Sequence, residues 1–155
     1  MKNNYLNVYN NFINLTTNKS LYKDLKEQDT FSDRLVLFLF HFAFFLKVYK
    51  NNENKSELQD IYDYFFRQLE LSIREIGYGD QSINKKMKDY LNLFHSMIDK
   101  IHEWEIKSFN DKNSFFEEFE NIANNSYYLT QYFDKYVENL TKKTLTYHLK
   151  SVINQ

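Results

Sequence analysis

From Leu35 to Leu46 the chain reads Leu-Val-Leu-Phe-Leu-Phe-His-Phe-Ala-Phe-Phe-Leu, apolar at every position except His41, and is bounded by Asp33-Arg34 and Lys47. A run of about a dozen such residues is too short to span a bilayer, which takes about 20, and is the length of a buried helix. A helix that is apolar on every side must be enclosed by others, or must present a greasy face to a partner. The run therefore predicts a central helix over Thr30 to Lys50 and, around it, a bundle.

The flanking sequence supplies the surrounding helices. Asn4 to Leu15 reads as a first helix and Ser20 to Leu25 as a short turn or half-helix. After the polar joint Asn51-Asn52-Glu53-Asn54, Ser56 is placed to cap a third helix. In it Leu58, Ile61, Tyr62, Phe65, Leu69, Ile73 and Ile76 follow the three-and-four spacing of one buried stripe. Asp63 with Arg67, and Glu70 with Arg74, stand four apart on its wetter side and are set to pair. A fourth helix carries Ile83, Met87, Tyr90, Leu91, Phe94, Ile98 and Ile101. Two more stretches, Asn113 to Asn124 and Ser126 to Val152, complete the pattern. With no linker, repeat or strand-like alternation, the expectation is one all-α domain over residues 1–155, a compact bundle of about five to six helices.

A chain of this size can bury a core without staples, and having no cysteine it has no disulfide or thiolate chemistry. Its 15 Phe and 13 Tyr imply either a bulky core or an adhesive exterior. A net charge of −1 gives no general attraction to nucleic acid, so no specific nucleic-acid recognition is expected. Met1 to Leu15 has neither the apolar core of a secretory signal nor the Arg-rich face of a transit peptide, which predicts a cytoplasmic protein of bacterial type.

The only two glycines, Gly77 and Gly79, sit in Ile73-Arg74-Glu75-Ile76-Gly77-Tyr78-Gly79-Asp80, and the chain has no proline. This predicts a tight corner between the third and fourth helices. Gly77 would follow the helix cap, Tyr78 would pack back on Ile73, and Asp80 or Ser82 would cap the next helix. Left-handed angles are expected at both glycines. Lys85, Lys86 and Lys88 follow in the first turns of the fourth helix, where cations oppose the helix dipole. Two readings are open for them, a site for an anionic partner and a solvated face.

Searches for catalytic patterns find no phosphate-cradling glycine loop, nucleophile elbow or His-Glu-x-x-His. His95, Asp99 and His102 share one helical side but lack a fourth ligand, so no metal site is assigned. His41 reads as a neutral core histidine, with haem ligation as the alternative.

Asp29, Thr30, Arg34 and His41, the block from Ile73 to Asp80, and Ile83 with Lys85, Lys86 and Lys88 together resemble the ubiquinol-cytochrome c chaperone family. The resemblance is strongest over residues 21–94 and finds nothing to match in 108–155. It departs at Gln68-Leu69-Glu70, which keeps one acid of a family acidic pair, and at Phe94-His95-Ser96-Met97, where a family arginine is missing. The resemblance implies a non-catalytic assembly factor for respiratory complex III that needs no cofactor and binds newly made cytochrome b at the cytoplasmic face of the membrane. A small companion chaperone and the ribosome are implied as further partners. It places client or partner contacts at Arg34, His41, Arg74, Glu75, Gly77, Tyr78, Gly79, Asp80, Lys85, Lys86 and Lys88. A small-molecule or metal-binding bundle and a structural subunit remain as alternatives.

Overall fold

The computed structural model describes residues 2–22, 31–119 and 123–151. Among them lie seven α-helices and no strand, as an all-α bundle requires: α1 (Lys2–Leu15), α2 (Phe31–Tyr49), α3 (Lys55–Ile76), α4 (Asp80–Lys100), α5 (Phe109–Glu117), α6 (Ser126–Thr141) and α7 (Leu145–Ser151). Short 3-10 turns occupy Lys19–Tyr22, Trp104–Ile106 and Ala123–Asn125. Asp29, Thr30, Ile122, Val152 and the extension of the second segment to Leu25 fall outside the described residues.

The apolar run is the axis of the molecule, with α1, α4 and α6 packed against α2. Helical spacing divides its aromatic residues between two sides. Phe38, Phe42 and Phe45 meet Phe12 of α1, while Phe42 also reaches Phe65 of α3 at 4.4 Å and Phe94 of α4 at 5.2 Å between ring centroids. Phe40 and Phe44 turn the other way, toward Phe115, Phe116, Phe133 and Trp104. Most phenylalanines are thus inside, so the ring content builds a bulky core first. The Trp104 indole donates to Asp134 at 2.9 Å, and Lys112 donates to the same carboxylate oxygen, also at 2.9 Å, tying the turn before α5 to α6.

The helix ends differ from the expectation. Asn54, not Ser56, is the residue before α3, and no side chain caps that helix. Ile76 leaves the buried stripe and is 52% exposed, because the chain is already turning into the corner. Phe66, one position off the expected stripe, is buried as well. Glu70 and Arg74 do pair, at 3.4 Å, whereas Asp63 accepts instead from Gln59 at 3.0 Å. α5 begins at Phe109, earlier than expected, since the Ser108 hydroxyl accepts from the Asp111 amide. The long final stretch breaks after Thr141: the Lys142 and Lys143 amides turn back to Asn139 and Leu140, and Thr144 accepts from Tyr147 to start α7. The Tyr49 hydroxyl, at the end of α2, fixes this break, lying 2.8 Å from the Leu140 carbonyl and 2.7 Å from His148 Nε2.

Candidate functional site

The α3–α4 corner is a left-handed turn at one glycine only. Gly77 has φ +106° and ψ 14°, and its amide donates to the Arg74 carbonyl at 3.0 Å. Gly79 is extended, with φ −75° and ψ 164°, and serves as the N-cap residue of α4. The expected left-handed angle at Gly79 is therefore corrected, and neither Asp80 nor Ser82 caps α4 by its side chain. Asp80 instead accepts from the Arg74 guanidinium at 2.9 Å, so that Arg74, held on its other side by Glu70, clamps the two helices across the turn. The paired carboxylates hold the Arg74 guanidinium above its ordinary pKa, with the Asp80 hydrogen bond as the main cause.

These positions give a sharp pair of expected results. An L-residue at Gly77 must take a left-handed conformation, so Gly77→Ala should cost about 1–2 kcal/mol. Gly79 already adopts a conformation open to any residue, and an added Cβ meets nothing within 4 Å. Gly79→Ala should therefore stay within about 0.5 kcal/mol of the parent. Urea titration of the two variants measures both, and equal destabilisation would refute the turn geometry.

The lysines lie outside, but with less free charge than the sequence suggests. Lys85 reaches Asp89 at 3.3 Å, and Lys86 sits 4.5 Å above the Tyr78 ring. That cation draws Tyr78 outward over α4, and the ring is 42% exposed. With Arg74 and Lys85 ion-paired, Lys86 and Lys88 supply the net positive charge of this ledge. Glu75 is exposed beside it.

His41 is not at the surface. It is 0% exposed, its Nδ1 lies 2.7 Å from the Leu37 carbonyl, and its Nε2 lies 2.7 Å from the Tyr132 hydroxyl. A carbonyl only accepts, so Nδ1 carries the proton and Nε2 accepts from Tyr132. Burial depresses its pKa to about 4, opposed by the Leu37 bond. A direct client contact at His41 is thus corrected to an internal one, because both ring nitrogens are satisfied inside the core. His95, for its part, meets the Tyr62 hydroxyl at 3.0 Å. Among the described residues no three His, Asp or Glu side chains are grouped to hold a metal ion, so His95, Asp99 and His102 do not form a ligand set.

Sequence reasoning did not find a cleft of about 400 Å³ between α1, α2 and α3. Its walls include Tyr9, Ile13, Leu35, Phe38 and Leu69, while Lys19, Arg34 and Ser72 are among its polar lining. Burial raises the pKa of the Tyr9 phenol. The signal was present in α1. Ile13, which lines the cleft, falls off the buried stripe of Val8 and Phe12 and is 39% exposed. Of the residues implicated by the sequence, Arg34 lines this cleft, and the corner begins on the same helix that lends it Leu69 and Ser72.

The model of the family described as ubiquinol-cytochrome C chaperone matches residues 23–113, well over half of the chain. The chain belongs to the ubiquinol-cytochrome c chaperone family. Membership brings a chaperone role in the assembly of complex III and hence a client protein. The fold agrees with a solved structure: the crystal structure of the Cbp3 homolog from Brucella abortus superposes with a TM-score of 0.74 at 21% identity, over 96% of this chain and 86% of that one. That match extends the shared fold through the C-terminal third, where the sequence offered no recognisable motif. No curated protein sequence matches the chain. Among the described residues no helix is long and apolar enough to cross a membrane.

Proposed function

We propose that this protein is a non-catalytic assembly factor that holds newly made cytochrome b before it joins complex III, working at the cytoplasmic face of the membrane. The observation that carries the reading is the cleft between α1, α2 and α3. Its volume lies within the range of ligand-binding clefts, roughly 300–1,000 Å³. A whole helix, about 10–12 Å across, does not fit inside. A few large apolar side chains projecting from one face of an unassembled membrane helix do, in the manner of helix-in-groove recognition. The apolar walls hold those side chains, and Lys19 and Arg34 stand among the lining for polar groups that flank them. Lys86 and Lys88 add attraction to anionic lipid headgroups, around 1 kcal/mol per cation near the surface. Reversible holding of this kind requires no reaction and no cofactor. A small companion chaperone and the ribosome are further partners under the same reading.

The test is capture of newly synthesised cytochrome b in a cell-free translation system. Ile13→Glu places a carboxylate against the cleft wall and should reduce capture by about tenfold or more, since burying an unpaired charge against apolar surface exceeds the 1.4 kcal/mol that a tenfold change represents. Leu6→Glu, on the same helix but away from the cleft lining, should leave capture unchanged. In a parallel arm, Lys86→Glu with Lys88→Glu should weaken sedimentation with anionic vesicles while sparing capture in detergent. Full capture by Ile13→Glu with unchanged helix content, or a gene deletion that leaves cytochrome b and complex III at normal levels, would overturn the proposal.

A further inference from the structure

The cleft between α1, α2 and α3 sets hydroxyl groups among its apolar walls, and where each hydroxyl sends its proton decides what the cleft can accept. Thr16 donates to the Ile13 carbonyl and Thr17 to the Asn14 carbonyl, each at 2.7 Å, and Tyr22 donates to the Thr16 carbonyl at 2.6 Å. Ser72 donates to the Gln68 carbonyl at 3.1 Å and is the partner of the Tyr9 phenol. A hydroxyl whose proton is already given to a carbonyl has only lone pairs to offer a ligand.

The charged donors of the lining are Lys19, in the turn after α1, and Arg34, in the first turn of α2, and both are exposed. A guanidinium carries five N–H donors and serves several acceptors at once. Among the described residues no Asp or Glu lines the cleft, although the chain holds 21 acids against 20 bases. Asp33 is buried, and Glu75, close enough for its charge to be felt at the Tyr9 phenol, also stays out of the lining. A cationic group entering here would face two like charges, and like charge set together is what interfaces use to reject a partner. A neutral group leaves both cations without a counter-charge. A carboxylate meets them, and with Arg34 it can pair through two parallel hydrogen bonds.

We propose that the cleft is specific for an apolar segment of a partner protein flanked by a carboxylate, an Asp or Glu side chain next to the large apolar residues that the cleft holds. This specificity rests on the cleft being the client site, and it names the kind of client segment that enters. The apolar anchors lie against Ile13, Leu35, Phe38 and Leu69, and the acid beside them reaches Lys19 and Arg34. The walls supply affinity and the two cations supply choice, since exposed charges steer and select more than they bind.

The experiment uses the full chain and three labelled helical peptides of about 18 residues, five turns each. All carry the same leucine face, flanked by Glu in the first, Gln in the second and Lys in the third. Fluorescence anisotropy at low salt should show the Glu peptide binding about fivefold tighter than the Gln peptide, and the Gln peptide about fivefold tighter than the Lys peptide. The differences should shrink as salt is raised, because the cations are exposed. Lys19→Gln with Arg34→Gln should bring the three affinities together, and Lys19→Gln alone, at an exposed position, should narrow them; Lys55→Glu, at the opposite end of α3 from Ser72, should preserve the order. Circular dichroism confirms that the variants keep their helices. Ile13→Glu should weaken all three peptides, which tests the cleft as the binding place separately from its charge preference. Equal binding of the three peptides, with Ile13→Glu still weakening them, would overturn the specificity and leave the cleft as the client site; peptides indifferent to Ile13→Glu would overturn both. Displacement of the Glu peptide by an equal concentration of dodecanoate would also overturn the specificity, since the occupant would then be a lipid anion.

Discussion

Phe40→Ala is expected to lower the stability of the protein by about 3–5 kcal/mol, a large share of the roughly 5–15 kcal/mol that holds a domain of this kind together. Phe40 is fully buried, and its ring meets four others: Phe115 at 5.4 Å, Phe116 at 5.2 Å, Phe119 at 5.0 Å and Phe133 at 5.7 Å between centroids. Most of these contacts are edge to face, the arrangement aromatic quadrupoles favour, so truncation removes both buried area and directional contacts. The cavity cannot close easily, because α5 and α6 are held to each other by the Trp104–Asp134–Lys112 bonds and cannot shift independently. Thermal unfolding should fall by on the order of 10 °C for a chain of this length. Phe109→Ala, at a far more exposed ring, should stay within about 0.5 kcal/mol by the same assay. A Phe40→Ala protein that melts with the parent would mean that α2 is not the centre on which the other helices are assembled.

How much of this was legible follows from what each residue has to do. The enclosure of α2 was readable because an all-round apolar helix has one physical solution. Gly77 was readable because a positive φ selects glycine so strongly. Gly79 was not, since an extended N-cap position accepts glycine without requiring it. Ser56 looked like a cap because it is a good one intrinsically, but the preceding joint folds into turns in which Asn51 accepts from the Asn54 amide and Asn54 bonds the Tyr49 carbonyl, and the helix starts two residues early. The lysine ledge looked more positive in sequence than in space, because partners such as Asp80 for Arg74 come from across a turn whose geometry pattern rules do not supply. The cleft escaped for a related reason. It is a space between three helices, and periodicity reports which side of each helix is buried, not where the buried sides fail to meet. Its sequence trace was Ile13, an apolar residue off the buried stripe of α1.

The cleft is apolar with cations in its lining. Aromatic residues on α2 give the fold around it a stiff scaffold, and Tyr9 and Phe38 give the cleft contact area at low conformational cost.

Acid should weaken the fold before its carboxylates are fully protonated, and His41 is the reason. Its pKa is about 4 in the folded protein and about 6.5 when the chain is unfolded. Between those values the unfolded state binds a proton that the folded state refuses, so stability rises with pH across this window and is lost as pH falls through it. The depression corresponds to about 3 kcal/mol, fully present above pH 6.5 and gone below pH 4, at roughly 1.4 kcal/mol per pH unit in between. His148, whose pKa is also lowered to about 4 by burial, acts in the same direction where it meets Tyr49 on α7. The two histidines sit at different joints, His41 bonding α2 to α6 through Tyr132 and His148 bonding α7 to the end of α2. Urea titrations between pH 6.5 and 5 should therefore give a slope for the parent that exceeds that of His41→Leu by close to one proton. The variant also loses the Tyr132 hydrogen bond, so its stability at pH 7 is expected to be lower while its pH profile is flatter. A variant with the parent's slope would show that His41 titrates alike in the folded and unfolded chain, and that its burial between Leu37 and Tyr132 does not keep it neutral.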